Sequence, residues 1–105
     1  MCRLHHIAVT TKNFDDYKML FKELGMTVER EVGKFPQRQL WFYEGIQLKE
    51  VLNLETGLSV DHIALVTEDI NGTIKVAVSN GCKHEPKKDN WFILSNGTKV
   101  ELIEN

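Results

Sequence analysis

Nowhere in this chain does an apolar run approach the roughly 18 to 20 residues that a membrane helix needs. The N-terminal segment also lacks the apolar stretch of a secretory signal. Neither sign of charge dominates, and a net charge of −2 offers no electrostatic attraction for nucleic acid or an anionic membrane. Cysteine is nearly absent. Cys2 and Cys82 are too few and too far apart for a disulfide framework or a Cys-x-x-Cys metal site, so both read as reduced thiols. These absences predict a cytoplasmic protein with no nucleic-acid and no membrane partner. The Asn-Gly pairs at 71–72 and 96–97 then read as turn formers, not as glycosylation signals. With 105 residues, 42% of them hydrophobic and 27% charged, the chain has the size and balance of one globular domain, 1–105.

Proline is scarce too, and the only two, Pro36 and Pro86, fall at matching places in an internal repeat. Leu4-His5-His6-Ile7-Ala8-Val9-Thr10 returns as Val60-Asp61-His62-Ile63-Ala64-Leu65-Val66, which sets His6 against His62. The same spacing sets Phe14 against Ile70 and Gly25 against Gly81. Beyond the glycine the spacing shortens by six residues, and Pro36 and Trp41-Phe42 return as Pro86 and Trp91-Phe92. Loop length changes cheaply at such a point. A duplicated unit with a histidine at the same place in each copy implies two half-sites.

Each copy reads as strand, helix and three strands: module 1 at 1–52, a polar connector at 53–59, and module 2 at 60–105. Residues 3–11 alternate, with Ile7 and Val9 on one face and Leu4, His6 and Ala8 on the other. Asn13 is the expected N-cap of a helix whose apolar stripe is Phe14, Tyr17, Leu20, Phe21 and Leu24, ended by Gly25 in a left-handed cap. Strands are expected at 26–32, 39–43 and 46–51. The second copy is expected as strand 60–67, helix 69–80 with Ile70, Ile74 and Ala77 buried, then strands at 83–85, 91–94 and 99–104. A unit of about 50 residues is marginal alone, so the two sheets are expected to meet, within one chain or across a dimer.

The closing hairpin of each copy yields a second pair of equivalent positions. A two-residue turn at Asn96-Gly97 pairs Phe92 with Glu101, and one at Glu44-Gly45 pairs Phe42 with Gln47. Gln47 is thus the counterpart of Glu101, each flanked by apolar residues that face the other way. Glu50 competes with Gln47 but would need a bulge to share its face.

His6, Gln47, His62 and Glu101 together resemble the metal set of the vicinal oxygen chelate superfamily, which includes glyoxalases, epimerases, extradiol dioxygenases and bleomycin-resistance proteins. The resemblance is strongest in His6-Ile7-Ala8-Val9, Asp61-His62-Ile63-Ala64-Leu65, Glu23-Leu24-Gly25-Met26 and Gly97-Thr98-Lys99-Val100-Glu101-Leu102-Ile103-Glu104. It implies an α+β fold of two βαβββ modules whose curved mixed sheets form an open cup. It implies that His6, Gln47, His62 and Glu101 bind a divalent ion (nickel, cobalt, zinc, manganese or iron), with Glu101 also the catalytic base. The implied activity is that of a glyoxalase-type lyase or isomerase working through an enediolate on a small substrate with vicinal oxygens. The same fold also serves non-catalytic drug- or metabolite-binding modules, and His6, His62 and Glu101 could form the facial triad of an iron dioxygenase. The resemblance further implies a homodimer.

Duller readings stand beside these. A lone strand histidine is usually structural, Glu101 could be a solvated edge charge, and Trp41 and Trp91 could simply pack. His5 and His84 read as surface residues. Arg38, Lys83, Lys87 and Lys88 read as solvated loop charges, with recognition of an anionic substrate tail as the alternative.

Overall fold

The computed structural model describes residues 2–55 and 57–105. Two compact units divide the chain: His6–Asp61, and His62–Asn105 together with the residues up to His5. The first carries β1 (Arg3–Thr11) from His6 onward, α1 (Phe14–Glu23), β2 (Val28–Val32), β3 (Gln39–Phe42) and β4 (Ile46–Glu50). The second carries β5 (Leu58–Thr67) from His62 onward, α2 (Ile70–Ser79), β6 (Lys83–His84), β7 (Trp91–Ile93) and β8 (Lys99–Glu104). Both are βαβββ, with strands in the order β2-β3-β4-β1 in one and β5-β8-β7-β6 in the other. Each is mixed: β1 with β4 and β5 with β8 are parallel, and the remaining pairs within each unit are antiparallel.

Period-2 alternation divides each unit into an apolar helix-covered face and a polar one. In the first unit Val9, Leu40, Phe42 and Leu48 pack under Phe14, with Tyr17 and Phe21 adding to the cluster. In the second, Phe92, Val100 and Leu102 pack under Ile74 and Ala77. The helix stripe expected on α1 is narrower in the structure. Phe14 is buried, whereas Leu20 and Leu24 are 44% and 69% exposed, Leu24 standing at the C-cap just past the helix's last residue.

The corners between strand and helix are built alike. Thr11 and Thr67, both fully or nearly buried, accept the backbone N–H two residues on, from Asn13 and Asp69, at 2.9 and 3.2 Å. Asn13 does stand at the N-cap, but its side chain makes no capping bond, so the hydroxyl of Thr11 orders that corner. Asp69 caps α2 through Gly72 N–H at 3.0 Å. Both helices end in a Schellman motif. Met26 N–H reaches Phe21 O at 2.9 Å and Cys82 N–H reaches Ala77 O at 3.0 Å, with Gly25 and Gly81 at φ of 100° and 93°.

Candidate functional site

The polar face of each unit carries the residues singled out by the repeat. Across the parallel β1–β4 pair, Ala8 stands opposite Gln47. Across β5–β8, Ala64 stands opposite Glu101. His6 and His62 lie two residues before these alanines, on the same face. Ala8 and Ala64 have no exposed surface, and their small side chains leave room beside Gln47 and Glu101. Each half therefore sets one histidine and one oxygen donor at the same register positions. Antiparallel pairing adds a tryptophan to each: Trp41 opposite Gln47 and Trp91 opposite Glu101.

These pairings correct the expected hairpins by one residue. Phe42 and Phe92 were to face Gln47 and Glu101, but Phe92 pairs with Val100 and the tryptophans take those places. The turns hold three residues, with Gly45 and Gly97 last, at φ of 110° and 90°. Leu94 N–H bonds Thr98 O at 2.9 Å, closing the second turn around Ser95, Asn96 and Gly97. The slip is the same in both copies, so Gln47 remains the register counterpart of Glu101. The β1–β4 register runs without a break from Gln47 to Glu50, which leaves those two side chains on opposite faces.

In the second unit His62, only 6% exposed, brings Nε2 to 3.5 Å from Glu101 Oε1. That is longer than the roughly 2.7–2.9 Å of a well-formed charge-assisted hydrogen bond. Two donors held at about 2.1 Å from one first-row divalent ion stand about 3.0–3.4 Å apart, so the donor set and spacing fit such an ion. The edge-on ring of Trp91, with centroids 4.9 Å apart, fixes the imidazole plane, and Lys88 Nζ lies 4.5 Å from the centre of the Trp91 ring. In the first unit Gln47 is buried, and its Nε2 donates to Gln39 Oε1 at 2.8 Å. Gln39 was missed from sequence. Its signal was the alternation Gln39-Leu40-Trp41-Phe42, which puts it diagonally beside Gln47 on the same face.

Glu50 and Arg38 belong to a different cluster. Arg38 grips Glu50 through Nε at 2.9 Å and Nη2 at 2.7 Å, reaches Asp15 at 3.0 Å, and lies over the Phe14 ring at 4.5 Å. The guanidinium holds the Glu50 carboxyl below the usual carboxylate range, while the two carboxylates raise Arg38 further. Arg38 is therefore neither a solvated loop charge nor an available anion receptor. His84 is exposed, as expected, with Nε2 3.3 Å from Asp89 O.

No family profile matches this sequence, and no curated protein matches it. Solved structures do. A hypothetical protein from Bacillus halodurans C-125 is 17% identical with a TM-score of 0.66, the match covering 99% of this chain and 94% of that one. Methylmalonyl-CoA epimerase from Mycobacterium tuberculosis is 17% identical with a TM-score of 0.65, covering 96% and 86%. The chain has the vicinal oxygen chelate fold. A 2,2',3-trihydroxybiphenyl 1,2-dioxygenase from Sphingomonas wittichii strain RW1 shares that fold at 16% identity and a TM-score of 0.66, but the match spans only 42% of its length.

Proposed function

We propose that this vicinal oxygen chelate protein is a divalent-metal-dependent lyase or isomerase of the glyoxalase type, acting on a small substrate with vicinal oxygens. One observation carries the reading: both halves put a histidine and an oxygen donor at the same register positions, and in the second half these stand 3.5 Å apart. The ion would be held by one histidine and one oxygen donor from each half, His6 and Gln47 with His62 and Glu101. Imidazole and oxygen donors suit nickel, cobalt, zinc, manganese or iron.

A bound ion supplies Lewis-acid polarisation of a substrate carbonyl. The proton chemistry falls to the chain. Glu101 is the one carboxylate in the set, so its carboxylate accepts the proton from the carbon beside that carbonyl and an enediolate is left on the substrate. Glu101 is partly solvent-accessible, with its side chain 27% exposed, which lets the proton be passed on. Trp91 holds the buried His62 ring in one orientation. Gln47, a neutral amide, cannot serve as a second base.

That same fact favours a second reading, a non-catalytic module that binds a drug or metabolite. Glu50, the nearest alternative carboxylate on β4, is committed to Arg38 on the other face. Two measurements test the proposal. Equilibrium dialysis of apo protein should show about one divalent ion per chain, and His62→Ala should lower affinity by about tenfold or more. Undiminished uptake in a His6→Ala/His62→Ala variant would overturn it. Exchange of the α-proton of hemithioacetals or α-hydroxycarbonyls in deuterated solvent separates the two readings, since only the enzyme exchanges it.

A further inference from the structure

We propose that the substrate is anionic, with a carboxylate or phosphate a few bonds from its vicinal oxygens, and that Arg30 and Lys88 select it; this rests on the metal-centre reading above. In each half the tryptophan opposite the oxygen donor bears a cation over its ring. Arg30 lies over Trp41 with Cζ 4.1 Å from the ring centre, and Lys88 lies over Trp91 with Nζ at 4.5 Å. The two arrive by different routes. Arg30 stands opposite Trp41 on the neighbouring strand β2, whereas Lys88 belongs to the loop between β6 and β7. That loop is tied down: Lys88 N–H donates to Glu85 O at 3.3 Å, Trp91 N–H donates to Lys88 O at 3.4 Å, and Leu102 N–H donates to Asn90 O at 2.7 Å. The repeat places the tryptophans but not the cations, so their shared position is an independent correspondence.

Both cations keep their charge unbalanced. Glu31, next to Arg30 on β2, is taken by Lys18 at 2.7 Å, and Lys49, on the face of Gln47, is taken by Asp61 at 3.3 Å. Among the described residues no carboxylate pairs with Arg30 or Lys88. An aromatic face orients a cation without neutralising it, so each tryptophan carries a full positive charge beside a donor. In the second half one ring links the charge to the donors: Trp91 lies 4.5 Å from Lys88 Nζ and 4.9 Å, centre to centre, from the imidazole of His62, whose Nε2 is 3.5 Å from Glu101. A guanidinium and an ammonium both suit a carboxylate or phosphate oxygen.

The test titrates full-length, nickel-loaded protein calorimetrically with three hydroxamates, each offering vicinal oxygens: acetohydroxamate, one with a terminal carboxylate on a short methylene tail, and one with a terminal phosphonate. Wild-type protein should bind at least one charged probe about tenfold more tightly than acetohydroxamate, the worth of one hydrogen bond to a charged group. The tail that gains more tells carboxylate from phosphate. Added salt should shrink the advantage. In the Arg30→Met/Lys88→Met variant an apolar stem still covers each ring, and both charged probes should fall to the level of acetohydroxamate. Arg30→Lys/Lys88→Arg should keep the preference. A preference that is missing in wild-type protein, or that survives in the methionine variant, overturns the proposal. If acetohydroxamate falls by the same factor as the charged probes, the cations only support the rings, and the proposal is again overturned. Wild-type protein that takes up no nickel defeats the metal-centre reading and the proposal with it. Nickel uptake without a preference for the charged tails defeats the proposal alone.

Discussion

Glu50 and Glu101 sit on corresponding last strands, and their surroundings give them opposite work. The carboxylate of Glu50 is enclosed by Arg38 and buried, so its role is to hold the mouth of β3 against β4 and the start of α1. Its folded pKa lies below the ordinary value of 4.5, chiefly through the Arg38 hydrogen bonds. A depressed acid stabilises the fold above its unfolded value and loses that contribution as pH falls through the folded value. Acid titration of stability should therefore show a decline beginning near pH 4.5 that is blunted in Glu50→Gln. At neutral pH Glu50→Ala should cost about 3 kcal/mol in denaturant unfolding, at the low end for a buried pair because Arg38 keeps Asp15. Metal uptake should survive Glu50→Ala and suffer in Gln47→Ala, and the reverse order would place the fourth donor on the wrong face. Glu101→Gln should behave differently again. It keeps an oxygen donor of nearly the same shape, so an ion should still bind while turnover falls by about 10²- to 10⁴-fold, the usual cost of losing a general base.

The elements show why some of this could be read in advance. Strand β1, helix α2 and strand β8 were expected almost to the residue, because each has clean periodicity and a strong boundary signal. The hairpins were not. Asn96-Gly97 has the letters of a two-residue turn, but the left-handed glycine here closes a three-residue one, and letters alone do not distinguish them. The pairing of Gln47 with Glu101 survived because both copies made the same turn. The longer second hairpin adds whole cross-strand pairs, which preserve the face of every side chain. What stayed hidden depended on diagonal or distant neighbours: Gln39 beside Gln47, Trp91 against His62, and Arg38 between Glu50 and Asp15. The helix ends make a direct test. A Cβ on Gly25 or Gly81 would meet nothing within 4 Å, so Gly→Ala there isolates the cost of a left-handed backbone. Each should lose about 1 kcal/mol, read as a fall in Tm of about 5 °C.

For the molecule as a whole, repetition does what a longer chain does with two different domains: one supersecondary unit, used twice, places a histidine and an oxygen donor at the same register positions in each half. Apolar side chains are left bare at Leu20 on α1, Leu24 at its C-cap and Val76 on α2, and the homodimer expected from sequence can be measured directly. Light scattering should then give about twice 12.1 kDa at micromolar concentration, and a monomer would refute it. One outer strand in each unit bears on handling and on behaviour in the cell. Strand β2 pairs with β3 through a register shift between Val28 and Arg30, and its Glu29, Arg30 and Glu31 are exposed. In the other unit the strand order ends at β6, which is two exposed residues long. A bulged, charged ribbon and a stub are poor templates for another chain's backbone. The protein should therefore stay dispersed at high concentration instead of growing into fibrils, and replacing Glu29 and Glu31 with valine should make it seed cross-β aggregates that bind thioflavin.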